Sequence, residues 1–420
     1  MYRTAAFAVL SVVLFAAADW PRFRGEDGSG VAKDQSLPTT WSATENIAWK
    51  VDLPGFGSSS PVTLGDKIFL SCYTGYGLDA DAPGQQETLR VHALCLNRKN
   101  GETIWQRTVE PKLPETEYDA GRISLHGYAS STPVVDDEAV YFFFGKSGVQ
   151  KYSLDGELQW TASVGMGIDS HNWGSGASLL LHGDLVIVNA SCESKSIRAL
   201  NKADGEEVWR VDEIVDSWAT PLIVETAAGK ELVIAERFRI LGIDPDSGKT
   251  LWFYKKPSDY ICPSTFANGD VVYLINSRFQ AKIFAIRAGG RGDIADSNVL
   301  WSKKWTTRVC TPVYHDGHIY AIDQLGVAYC LKADSGEEVY GRRLNIDGGG
   351  DKIYASMVAG DGKLYGVTRL DGTVVMPLSP EFKELARNHL GDDTIFNATP
   401  AIDDNQLLIR SDKALYCIGE

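Results

Sequence analysis

Three short stretches carry the side chains best suited to chemistry: Asp169-Ser170-His171-Asn172-Trp173, Asp216-Ser217-Trp218 and Asp259-Tyr260. Carboxylate and amide oxygens bind hard cations such as Ca²⁺. Asp169, Asn172, Asp216 or Asp259 could therefore ligate one while Trp173 or Trp218 stacks on a flat ring. Other stretches also pair a ring with a polar group: His126 with Tyr128, Lys352 with Tyr354, and Phe396 with Asn397, while Phe56 and Arg308 stand alone. Two more patterns invite a metal. Asp79-Ala80-Asp81-Ala82-Pro83-Gly84 starts like a calcium loop, but Pro83 replaces a ligand and Arg90 stands where the bidentate Glu belongs. His315-Asp316-Gly317-His318 fills a polar turn, and Asp347-Gly348-Gly349-Gly350-Asp351 reads as a flexible connection. No G-x-S-x-G, H-E-x-x-H or phosphate-binding glycine loop occurs.

A repeat must position these residues. Ala199-Leu200-Asn201-Lys202-Ala203-Asp204-Gly205-Glu206-Glu207-Val208-Trp209 reads as a strand, a tight turn and a strand ending on an aromatic. The glycine-to-aromatic spacing recurs at Gly101/Trp105, Gly156/Trp160, Gly205/Trp209, Gly248/Trp252 and Gly336/Tyr340. Each unit opens with a small residue and Ser or Thr: Ser59-Ser60, Ser131-Thr132, Ala177-Ser178, Ala219-Thr220, Pro263-Ser264, Cys310-Thr311, Ala355-Ser356 and Ala398-Thr399. Four short strands per unit, without helical periodicity, predict antiparallel sheet. Four-stranded sheets at this period predict an all-β, eight-bladed β-propeller. The last unit lacks its fourth strand, and the orphan strand Ile47-Ala48-Trp49-Lys50-Val51 supplies it, pairing the chain ends. The propeller spans 47–420, preceded by an extension, 19–46.

In such blades the loop leading into the first strand shares a face with the loop joining the second and third. That face collects Phe56, His126, Tyr128, Asp169, His171, Asn172, Trp173, Asp216, Trp218, Asp259, Tyr260, Arg308, Lys352, Tyr354 and Asn397. It also carries the insertions Thr74 to Glu87 and Glu110 to Arg122. Long connections on a rigid scaffold tend to carry function, so this is the expected binding face. The alternative is that its aromatics fill gaps between blades.

The units resemble the PQQ-like repeat family, whose blade pattern runs Ala-x-Asp-x-x-x-Gly-x-x-x-Trp and which includes quinoprotein alcohol dehydrogenases and the assembly lipoprotein BamB. The resemblance implies that the blade Gly and Trp residues serve docking between blades. It implies two functions. One is a non-catalytic binding or scaffold propeller, needing no cofactor. The other is a dehydrogenase dependent on PQQ and Ca²⁺, with a vicinal Cys pair over the cofactor, a Trp beneath it and a Glu, Asn and Asp set around calcium. This chain has no adjacent cysteines, no Glu in that company and no C-x-x-C-H haem site. The first reading is preferred.

Forty-one basic against 55 acidic residues give a net charge of −14, and the basic residues are scattered, which argues against nucleic acid. A monomer binding a protein or small molecule is expected. Residues 1–18 combine Arg3, an apolar run and Ala16-Ala17-Ala18, the pattern of a secretory signal. The run is too short to span a bilayer comfortably, which predicts a periplasmic or extracellular location. Seven cysteines are present. Cys95, Cys330 and Cys417 fill a small-residue slot held elsewhere by Ser153, Ala199, Gly242 and Ala285, and Cys310 matches Ser131, Ala219 and Ala398. They read as small buried hydrophobes, with a Cys72–Cys95 disulfide as the alternative.

Overall fold

The second and third strands of each unit are nearly continuous apolar runs, so both of their faces must be covered. Lys67–Thr74 and Arg90–Asn97 are buried at every position but their ends. The outer strand, such as Thr103–Val109, alternates, with its Trp as the fully buried member. Radial stacking of sheets meets both demands. In the computed structural model, which describes residues 19–118, 123–255, 259–277, 281–294 and 297–419, eight sheets form the blades of a propeller. The segment read as an export signal lies outside the described residues. Six blades use consecutive strands, and blade five does so but for one short strand, Gly292–Asp293, that it yields to blade four. The eighth orders Ile47–Asp52, Ala414–Ile418, Gln406–Arg410 and Ala401–Asp403, with Trp49 opposite Cys417. Arg98 of blade one locks this closure: its guanidinium donates to the Asp403 carboxylate at 2.9 Å, the Asp403 carbonyl at 2.7 Å and Gln406 Oε1 at 2.6 Å.

The repeat's glycine and tryptophan meet across blades. Trp49, Trp105, Trp160, Trp209 and Trp301 lie over Gly101, Gly156, Gly205, Gly248 and Gly336 of the following blade, where an added Cβ would stand 2.6–2.8 Å from the ring. Each indole N–H donates to a carbonyl of that blade's turn, as from Trp160 to Lys202 at 3.0 Å. The positive φ of Gly205 (77°) makes the turn, and its missing side chain makes room for the indole. Trp252 departs from this pattern. Its ring folds over Gly242 within its own sheet and donates to Glu231 at 2.7 Å. The next blade there has an insertion whose segment Gly292–Asp293 adds a parallel strand to blade four. A second correction concerns the slot: in blade two Lys151, and not Ser153, stands opposite Trp160, its ammonium donating to the Lys202 carbonyl at 2.9 Å.

Around the channel the Ser/Thr that opens each unit joins neighbouring blades. The N–H of Ser60 donates to the Thr132 hydroxyl, Thr132 to Ser178, Ser178 to Thr220, and so on through Ser264, Thr311, Ser356 and Thr399, at 2.9–3.1 Å. These buried amides would otherwise lack acceptors. The extension crosses the opposite, turn-side end of the channel. Trp20 exchanges hydrogen bonds with Thr63, Pro21 accepts from the Val135 N–H, and Val31 bridges Ala359. Arg24, 1% exposed, donates to five carbonyls: Gly28, Ser29, Thr311, Pro312 and Met357. The chain then runs under blades seven and eight, burying Leu37 and Trp41. All seven cysteines are free thiols, and the Cys72–Cys95 alternative is overturned: Cys72 lies opposite His92, while Cys95 lies opposite Phe69.

Candidate functional site

With its turn-side end covered by the extension, the channel keeps a cavity of about 290 Å³ towards the leading loops. Hydroxyls of the inner ring form its wall, and Phe23 of the extension reaches in from below. Seven of the candidate residues line it: His126, Trp173, Trp218, Tyr260, Arg308, Tyr354 and Asn397. Trp173, Trp218, Tyr260 and His171 pack with ring centroids 4.8–6.4 Å apart, and the Trp218 indole is fixed by donating to the Gly174 carbonyl at 2.7 Å. Among the described residues Arg308 is the cation of the wall. It is held at φ 62°, a left-handed conformation that costs a non-glycine residue about 1 kcal/mol or more. Its guanidinium lies 3.7 Å from Asp351.

The acidic candidates turn away from the cavity and hold the loops that shape it. Asp169 accepts the backbone N–H groups of His171, Trp173 and Gly174. Asp216 accepts from the Ser170 hydroxyl at 2.7 Å and from Arg237 at 2.9 Å, with His171 3.6 Å away. Asp259 accepts the N–H of Tyr260 at 2.9 Å. Asn172 lies outside the cavity at φ 57°. Phe56 and Tyr128 pack on Tyr73, Phe396 on Tyr416, and Tyr128 also donates to the Thr116 carbonyl. The Lys352 backbone bridges Gln324 and Arg369. Asn397 spans the rim, donating to the Leu125 carbonyl at 2.6 Å and accepting from Arg369 at 3.0 Å.

Sequence reasoning missed Phe23, Asp351, Cys262 and Ser130 as wall residues. The unit-opening Ser/Thr pattern signalled the hydroxyl ring; nothing local signalled the others. Ser130 lies 2.6 Å from His126 Nδ1, the layout of a nucleophile and its base. Burial, however, pushes the imidazolium down to about 4, well below what a general base at neutral pH needs. The pair therefore reads as a neutral hydrogen-bonded contact.

Elsewhere in the fold, burial holds two carboxyls up, to about 7: Glu193, which accepts from the Ser175 hydroxyl, and Glu115. An acid raised in the folded state keeps its proton while the unfolded chain releases it from about pH 4.5 upward. The contribution of these two carboxyls should therefore be full below pH 4.5 and fall until about pH 7, by up to about 1.4 kcal/mol per pH unit for Glu193. It is offset in part by His126, whose depressed value works in the opposite sense between about pH 4 and 6.5. Melting temperatures across that window should decline, and Glu193→Gln should flatten the decline.

Residues 90–291 match the family model described as outer membrane protein assembly factor BamB, built on PQQ-type repeats. The repeats are PQQ-like. Among solved structures this PQQ-like propeller is similar to BamB from Moraxella catarrhalis, with 12% identity over 88% of this chain and 95% of that one and a TM-score of 0.60. It is similar also to quinohemoprotein alcohol dehydrogenase from Comamonas testosteroni, with 10% identity, 95% and 80% coverage and a TM-score of 0.64. The computationally designed Ika8 protein shares the fold at 10% identity, 89% and 99% coverage and a TM-score of 0.57. A sequence comparison with curated proteins returned no match. These likenesses show the fold of the PQQ-like propeller. Its residues do not fit a calcium-held quinone: Asp169, Asp216 and Asp259 are committed to backbone N–H groups, a hydroxyl and an arginine. No group of three or more His, Cys, Asp or Glu among the described residues is placed to hold a metal, and Cys262 is the cavity's one cysteine.

Proposed function

We propose that this PQQ-like propeller is an exported, monomeric, non-catalytic binding protein that takes a small ligand, or a side chain of a protein partner, at the leading-loop end of its channel. The observation that carries this reading is the cavity itself, covered from below by Arg24 and Phe23 and walled, among the described residues, by rings with one cation. Apolar walls with a few placed polar groups are the usual make-up of a ligand site. Export rests on the signal-like residues 1–18, and among the described residues no helix is long and apolar enough to cross a membrane. The coarse likeness to an assembly factor supports a scaffold role; the commitment of the acidic loop residues to structure favours it over the PQQ- and Ca²⁺-dependent alternative.

The probe 8-anilinonaphthalene-1-sulfonate, fused rings with an anionic group, matches Trp173, Trp218 and Arg308. It should bind the native protein saturably at one site with a rise in fluorescence. Gly176 lines the cavity with ordinary backbone geometry, and an added Cβ would meet Trp218 at an unstrained 3.5 Å. Gly176→Leu should therefore fold normally and weaken the probe by about tenfold or more, some 1.4 kcal/mol. Equal binding to both proteins, or no saturable binding, would contradict the proposal.

A further inference from the structure

Described residues 76–87 and 114–118 of the leading-loop face, with Ile168 and Asn172, border a second concavity, a groove of about 1050 Å³. Its chemistry differs from that of the central cavity. Glu87, Glu115 and Glu117 line it, and no Lys or Arg of the described residues does. Tyr76 and Tyr118 add ring surface, edge to face at 6.3 Å. The walls are fixed to each other. Gln86 donates to the Glu115 carbonyl and accepts its N–H, both at 3.0 Å, and the Tyr118 N–H donates to the Tyr76 hydroxyl at 2.9 Å. The segments that form the groove, and the one leading to Ile168 on its far side, carry four exposed apolar residues: Leu78, Leu113, Met166 and Ile168, 38–48% exposed. Of these, Ile168 lines the groove itself, and exposed apolar side chains on the segments that build a concavity mark an interaction surface.

We infer that this groove docks a cationic, amphipathic segment of a partner protein. Lys or Arg side chains of that segment meet the carboxylates of Glu87 and Glu117 and lie over the tyrosine faces, where a cation is attracted by the ring quadrupole. Its apolar residues cover Ile168 on the far side of the groove. Charge complementarity decides the class: an acidic segment would face the exposed carboxylates of Glu87 and Glu117, while Glu115, partly buried with Lys146 beside it, adds little charge. The site stands apart from the central cavity and does not depend on it.

The test uses the full chain and a short fluorescein-labelled peptide of alternating leucine and lysine, with its leucine–glutamate counterpart and spermine for comparison. The lysine peptide should bind saturably and the glutamate peptide should not. Glu87→Gln/Glu117→Gln should weaken it about tenfold, while Asp204→Asn/Glu206→Gln, the same charge change on the turn face, should alter it less than about twofold. Spermine should compete poorly because it lacks apolar groups. Gly176→Leu should leave peptide binding unchanged, which separates this site from the cavity. Equal weakening by both double variants would show attraction to net charge alone and overturn the inference. Spermine matching the peptide would assign the groove to small polycations, and no saturable binding would also overturn it.

Discussion

Arg24→Ala should be among the most destabilising single substitutions in this chain, by on the order of 3–5 kcal/mol. A guanidinium has five N–H donors, and all five are used, on Gly28, Ser29, Thr311, Pro312 and Met357. Three of those carbonyls belong to blades six and seven, so one side chain ties the extension to the channel wall. Removing it leaves buried acceptors unpaired, and hydrogen bonds to a charged donor contribute about 1.5–3 kcal/mol each. Arg24→Lys, with three donors in another geometry, should recover only part. Urea unfolding is the measurement: the midpoint should fall with little change in slope, and residues 19–46 should become sensitive to protease. A midpoint shift equivalent to less than about 0.5 kcal/mol, the size of an ordinary surface substitution, would contradict the seating of the extension.

The second large effect is expected at Trp252. It is completely buried, and truncation of a buried aromatic to Ala typically costs about 3–5 kcal/mol through lost contacts and the cavity left behind. A further cost falls on Glu231. That carboxylate, 1% exposed, is shared among the Trp252 indole N–H, the Gly289 N–H and Arg291. Losing one donor leaves part of a buried charge unsatisfied. Trp252→Phe keeps one aromatic ring but loses the second ring and the donor, and should cost about 1–3 kcal/mol. Calorimetric melting of both variants checks the order Ala below Phe below wild type. If Trp252→Phe matched wild type, the indole–carboxylate bond would carry no weight.

Blade number and closure were legible because they rest on local, repeated demands. A turn needs Gly205, an indole needs a glycine to lie on, and a buried inner amide needs a hydroxyl; each leaves one residue at a fixed offset. The orphan strand 47–51 was legible for the same reason, since the last unit lacked its outer strand, and the observed strand runs Ile47–Asp52. Trp252 carries the same spacing as Trp209 yet folds into its own sheet, because the insertion in the following blade, remote in sequence, changes what it can dock on. Lys151 was misplaced by two residues because a lysine stem can fill a slot that elsewhere takes alanine or cysteine. The site was legible only in part. The loops holding the aromatic residues could be assigned to one face, but whether an aspartate points at a ligand or at its own loop depends on backbone N–H groups that the sequence does not display. Asp169 and Asp216 are such cases. Phe23 could not be found, since its place depends on where the whole extension crosses the channel.

The central claim is that the channel mouth binds without quinone chemistry. The most direct test titrates the purified full chain with PQQ in excess Ca²⁺ by calorimetry, with thermal melting and alcohol-dependent dye reduction on the same samples. A ligand far above its dissociation constant stabilises by several kcal/mol when it binds only the folded state. The structural commitment of Asp169, Asp216 and Asp259 predicts no saturable heat, no rise in melting temperature and no dye reduction. Stoichiometric PQQ binding that depends on Ca²⁺, raises the melting temperature by several degrees and supports dye reduction would contradict it.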